Sequence, residues 1–208
     1  HQINSLKELE KKRNDGEKNF LVVLPTGTGK TEILIADILE QYKKNNSLKV
    51  LILVPTKQLK IDTIKKVITR FENELKVKVL IGEDKSSQIV IQTYSWISRY
   101  YQSFDSLEFD YITVDEAHHA VAPTLQKVIQ HFNPQMLLGL TATDKRLDEK
   151  NLAEIFGKYE SNLTLVEAIK QDILCPIKAF RVKSNIDLSE VRFNGKDYYA
   201  TDLQKTFI

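Results

Sequence analysis

The chain has 208 residues, 42% of them apolar and 28% charged, an ordinary balance for a globular fold of one or two domains. With 30 Lys+Arg against 28 Asp+Glu the net charge is only +2, which excludes a basic tail protein or a histone-like coat and confines any nucleic-acid contact to a local patch. A single cysteine, Cys175, excludes an internal disulfide and a thiolate zinc cluster, and no apolar run approaches the ~18 residues of a membrane span.

Residues 20–24 (FLVVL) form a continuous apolar run, the pattern of a strand buried on both faces. Leu34, Ile35, Ile38, Leu39 and Tyr42 then recur at helical spacing. Residues 49–54 (KVLILV) make a second buried strand, followed by a helix marked by Ile64, Val67, Ile68, Phe71 and Leu75. Strands are expected over 77–81 and 88–92, then a helix over 94–101 and a strand over 111–114. Leu125, Val128, Ile129 and Phe132 share one helical face, with Pro123 suited to the first turn. A strand over 136–140, helices near 148–156 and 163–171, and a last strand over 177–182 complete the pattern. Strand and helix alternate, so the expectation is an α/β fold: a mostly parallel central sheet with helices on both faces. Ligands of such sheets gather beyond the carboxyl ends of the strands, which makes the residues after each strand the site candidates. No internal repeat is visible, and no domain boundary ahead of Ser184.

After the first strand come Pro25, Thr26, Gly27, Thr28, Gly29, Lys30 and Thr31, then a helix. Glycines let the backbone wrap phosphate oxygens with its N–H groups, and the helix N-terminus adds positive potential. Lys30 is placed to reach the β- and γ-phosphates and the Thr31 hydroxyl to bind Mg²⁺. The strict phosphate-loop formula asks for glycine where Leu24 stands, so this is a variant.

Residues 111–114 run into Asp115-Glu116-Ala117-His118-His119. A nucleotide-bound Mg²⁺ needs a second carboxylate on a neighbouring strand end, and Asp115 fits that task. Glu116 is placed to orient and deprotonate an attacking water. The alternative, a transition-metal site on His118 and His119, lacks HExxH spacing and a cysteine partner. Thr141-Ala142-Thr143 follows the strand over 136–140 and offers hydroxyls to the acidic motif; a plain turn is the alternative.

The order PTGTGKT (25–31), VPTKQL (54–59), QTYSW (92–96), VDEAHH (114–119) and LTAT (140–143) resembles motifs I, Ia, Ib, II and III of the first RecA-like domain of superfamily 2 helicases. DEAHH, with TATDKRLD and the ILCP turn, is similar to the branch of type III restriction helicase subunits and nucleotide-excision-repair type DNA helicases. The resemblance implies a RecA-like P-loop NTPase domain over 1–183 and the start of a linker over 184–208, leading to a second RecA-like domain outside this chain. It implies ATP and Mg²⁺ as cofactors, with Thr31 and Asp115 on the metal and Lys30, Asp115, Glu116 and His118 as the catalytic set. It puts Gln2 on the adenine, with a solvated helix-start glutamine as the alternative, and residues 25–31 around the phosphates. It puts Thr56, Lys57, Gln58 and Thr93 on a nucleic-acid strand; for residues 56–58 and for Thr93 a helix cap is the alternative. His118 links the hydrolysis site to motif III, where Thr141 and Thr143 couple hydrolysis to strand movement. Trp96 and Tyr94 read as core residues of the adjacent helix, with base stacking as the alternative. The chain departs from the family at Asp144, where proline is usual.

The activity so implied is that of the first motor domain of an ATP-dependent DNA helicase or translocase. The alternatives are the helicase subunit of a type III restriction system and an RNA helicase. Cysteine usage points to the reducing interior of a cell, and the Lys- and Ile-rich composition is associated with AT-rich bacterial genomes. The chain begins His1-Gln2 and ends on the apolar Phe207 and Ile208, so a fragment of a longer protein is expected.

Overall fold

Side chains alternate across a strand, so a run that is apolar at every position must bury both faces. In the computed structural model this holds for β1 (Asn19–Val23), β2 (Val50–Val54), β4 (Ile89–Thr93), β5 (Tyr111–Asp115) and β6 (Met136–Thr141), with the short β3 (Ile81–Gly82) at one margin. They form a six-stranded sheet in the order β1-β6-β5-β2-β4-β3, and every pair is parallel. The structure describes residues 1–75, 80–82, 85–142, 149–157, 163–179, 191–193, 195, 197, 199 and 200.

Phe20, Val22, Ile52, Tyr111 and Leu138 face one layer, built from α1 (Gln2–Asn14), α2 (Lys30–Lys44), α3 (Lys57–Leu75) and α7 (Leu165–Lys170). Leu21, Val23, Leu53, Val114 and Leu137 face the other, under α4 (Tyr94–Tyr100), α5 (Pro123–His131) and α6 (Glu149–Phe156). Each such side chain, fully buried, contributes about 1.5–3 kcal/mol. Residues His1–Cys175 make one compact unit and Pro176–Ile208 a second.

Two expectations shift. Of the strand expected over 77–81, only its end is described, as part of β3; residues 76–79 lie outside the described residues. Residues 177–179 of the expected last strand are irregular, and Ile177 is 68% exposed. An apolar run becomes a strand only where another strand pairs with it. Residues 180–182 lie outside the described residues, as does most of 184–208.

Helix α1 has no counterpart among the expected elements. It buries only Ser5 and Leu9, too narrow a stripe to show as a helical period. Polar groups fix it instead. The Arg13 guanidinium donates to the Asp37 carboxylate of α2, which also accepts the Tyr111 hydroxyl of β5. Burial pushes the Asp37 carboxyl up, while the Arg13 charge and the bonds from Tyr111 and Arg13 pull it back. Arg13 also sits 5.2 Å from the centre of the Phe20 ring. Arg13→Ala would strand the Asp37 charge in the interior. We expect it to lower the unfolding free energy by about 3–5 kcal/mol in urea denaturation; a loss below about 1 kcal/mol, the scale of a surface pair, would contradict this.

Candidate active site

The chain leaves β1 through residues 24–29 and enters α2 at Lys30. Gly27 and Gly29 both hold φ 88, where an L side chain is strained. Leu24 is fully buried in the core and does not share that backbone state, which explains how the loop dispenses with glycine there. The Thr28 hydroxyl donates to the Pro25 carbonyl at 2.7 Å and closes the loop. Thr26 and Gly27 are exposed at its rim, and Thr31 is half-buried in the first turn of α2. Lys30 is 7% exposed, and its ammonium donates to the Leu24 carbonyl at 3.3 Å.

Gln2 reaches this loop from α1. Its amide donates to the Thr28 carbonyl at 3.1 Å, beside His1 Nε2 at 2.8 Å from the same oxygen. Leu174, in the ILCP turn, covers Gly27: a Cβ there would stand 3.1 Å from its Cδ2.

Asp115 closes β5. The sheet order puts β6 between β1 and β5, so the acid is not on the strand adjacent to the loop but one further away. Asp115 is 7% exposed. Burial first, then the Glu116 charge, pushes its carboxyl above the ordinary range, against a backbone hydrogen bond from Glu116 and the pull of Lys30 and Lys66. Glu116 adopts φ 53, ψ 52, a left-handed state uncommon outside glycine, and opens the tight turn Ala117–His119. Its N–H donates to Asp115 Oδ1 at 3.0 Å. Its carboxylate lies 3.3 Å from His118 Nδ1, which is 3.1 Å from the Thr141 hydroxyl. Glu116, His118 and Thr141 therefore form one polar chain from the end of β5 to the end of β6. Gly139 makes room for this turn, since a Cβ there would stand 3.0 Å from the Ala117 side chain. Thr143 and Asp144 lie outside the described residues.

The second group of site candidates sits at the ends of β2 and β4. Thr56, Lys57 and Gln58 are exposed. The Thr56 hydroxyl accepts from Leu59 N at 3.2 Å, as a helix cap does, and Gln58 donates to Asp62 at 3.1 Å. Thr93 is buried, and its hydroxyl caps α4 by accepting from Trp96 N at 3.3 Å. Trp96 packs on Tyr100 and Phe104, as a core residue would. Sequence reasoning missed the cleft beside them. It has about 620 Å³ and is lined by Pro55, Tyr94, Ser98, Arg99, His119 and Thr124 among others. A guanidinium among hydroxyls suits phosphate, but Arg99 meets Thr124 only through the packing of α4 on α5.

The family described as type III restriction enzyme, res subunit, matches residues 1–146. The chain belongs to this family. IRC3, a protein of Saccharomyces cerevisiae with an ATP-dependent helicase name, is 28% identical over 207 residues, covering 90% of this chain and 29% of that one. The DNA 3'-5' translocase XPB2 of Sulfurisphaera tokodaii is 33% identical over 164 residues, covering 69% of this chain and 34% of that one. The chain thus spans about a third or less of these relatives. The Pyrococcus furiosus Hef helicase domain has the same fold, with a TM-score of 0.58 and 22% identity over 70% of this chain and 34% of that one. Together these identify a first RecA-like domain of superfamily 2 helicase type. A yeast and an archaeon among the relatives do not support the expected bacterial source. Among the described residues no helix is long and apolar enough to cross a membrane.

The raised Asp115 carboxyl has a consequence for the stability of the domain. A carboxyl raised by folding binds more protons in the native state than in the unfolded one, so stability falls as pH rises through the carboxylate range. Asp115→Asn removes that penalty near neutral pH and keeps an acceptor for the Glu116 N–H. We expect the nucleotide-free melting temperature to rise by about 2–4 °C near neutral pH and by less in acid. A drop near neutral pH in a thermal scan would contradict this.

Proposed function

We propose that this chain is the first motor domain of an ATP-dependent DNA helicase or translocase that hydrolyses ATP to move along or unwind its strand. One observation carries the reading: Lys30 in a glycine-bent loop and the acids Asp115 and Glu116 open onto the same end of the sheet, where the Lys30 charge pulls against the rise of the Asp115 carboxyl. Residues 25–31 would hold the triphosphate, with Lys30 on its outer oxygens and Gln2 on the adenine. Mg²⁺ takes one or two protein oxygen ligands together with substrate phosphates and water, a set that one hydroxyl and one carboxylate suit. Thr31 and Asp115 would hold it, and it would neutralise charge on the phosphates. Glu116, held 3.3 Å from His118, would take the proton of the attacking water.

Nucleic acid would cross the ends of β2 and β4, on Thr56, Lys57 and Gln58 and the cleft at Arg99. Thr93 would act there by capping α4, because its hydroxyl is engaged. XPB2, by its name, works on DNA, which favours DNA over RNA. Thr141, and Thr143 beyond it, would pass the state of the hydrolysis site to that strand. Residues 1–183 would form this domain and 184–208 the start of a linker to a second RecA-like domain. An arginine from that domain, worth about 10³–10⁵ in rate, would complete the site, so this chain alone would turn over slowly. A reducing intracellular setting belongs to the same proposal.

The res-subunit match favours a second reading, the helicase subunit of a type III restriction system. A nuclease centre elsewhere in the whole protein would distinguish it. In the whole protein Glu116→Gln should keep ATP affinity while steady-state turnover falls by about 10²–10⁴-fold. Phosphate-release assays and nucleotide titration measure both, and unchanged turnover would remove Glu116 from this role.

A further inference from the structure

The left-handed turn at Glu116 needs explaining. A non-glycine residue there is strained and persists only where its surroundings over-determine it. Part of the support is local: Glu116 N–H donates to Asp115 Oδ1, and the Glu116 carbonyl accepts from His119 N at 3.0 Å. Another part comes from a different element. The Tyr94 hydroxyl donates to the Asp115 carbonyl and lies 3.4 Å from the Glu116 carbonyl.

Tyr94 also faces the other way. It is the first residue of α4, directly after the capping Thr93, and it lines the cleft with Ser98 and Arg99 of the same helix. His119, at the far end of the tight turn, lines the cleft too, and its ring meets the Tyr94 ring edge-on at 6.0 Å. A ligand in the cleft therefore touches a rigid ring whose hydroxyl is bonded to the backbone of both acids.

We propose that Tyr94 is a positioning residue that holds the Glu116 turn in its hydrolytic geometry and carries occupancy of the cleft between α4 and α5 by a nucleic-acid strand to that turn. This rests on the reading of Glu116 as the hydrolytic base. Tyr94 acts through the backbone carbonyls of Asp115 and Glu116. Nucleic acid that shifts α4 moves the Tyr94 hydroxyl, and the aim of the Glu116 carboxylate follows.

The test is Tyr94→Phe in the whole protein, which keeps the ring and removes the hydroxyl. Steady-state ATPase is measured with and without saturating single-stranded and duplex DNA, beside wild type and Glu116→Gln. DNA affinity is read by fluorescence anisotropy. We expect kcat with DNA to fall about tenfold and the stimulation by DNA to shrink toward one, with ATP KM and DNA Kd within about twofold of wild type. A residue that merely fills space would move KM and Kd along with kcat, and that outcome overturns the proposal. So does a Tyr94→Phe enzyme with wild-type kcat and stimulation while Glu116→Gln is inactive; the hydrolytic reading then stands and Tyr94 falls. Full turnover in Glu116→Gln would sink both.

Discussion

A buried ammonium and a buried carboxylate stand at the same end of one parallel sheet, and much of this architecture keeps them there. Lys30 has a backbone carbonyl at hydrogen-bond distance, and Asp115 is driven toward its protonated form by burial. Each would be better stabilised by a counter-charge that the other cannot fully supply across an intervening strand. A triphosphate with its divalent cation offers both charges at once. Because Lys30 and Asp115 are buried, these interactions are stronger than at an open surface.

The two helical layers divide the work. The layer of α1, α2, α3 and α7 carries the phosphate loop, and the Arg13–Asp37–Tyr111 cluster ties α1 to α2 and to the strand that ends in Asp115. That cluster fixes the helix on which Gln2 reaches the loop. The layer of α4, α5 and α6 carries the cleft, and Tyr94 joins it to the acidic turn. The turn itself rests on β6 where Gly139 lacks a side chain. The acidic turn and the cleft thus meet at the backbone carbonyls of two residues, Asp115 and Glu116.

The strands were legible because a parallel sheet covered on both faces demands unbroken apolar runs, and FLVVL and KVLILV have no other cheap solution in water. The glycine-bent loop ahead of α2 was legible because glycines before a lysine at a strand-to-helix junction mark a tight backbone turn. Sheet order was not, since periodicity records burial and not adjacency; hence β6 between the two halves of the site. Helix α1 escaped because it is held by Arg13 and Glu10 and not by an apolar stripe. The roles of Tyr94 and Arg99 depend on a left-handed backbone at Glu116 and on α4 meeting α5, neither of which leaves a mark on local composition. The capping of Thr56 and Thr93 was open in the sequence because a hydroxyl after a strand serves a helix end and a phosphate equally well.

The most direct test of the central claim is a crystal structure with a non-hydrolysable ATP analogue and Mn²⁺ in place of Mg²⁺, read by anomalous scattering. The account predicts a metal peak between the Thr31 hydroxyl and the Asp115 carboxylate, phosphates along Gly27 to Lys30, and the Lys30 ammonium moved from the Leu24 carbonyl onto phosphate oxygen. Phosphates bound elsewhere, with Lys30 still on that carbonyl and no metal near Asp115, would contradict it.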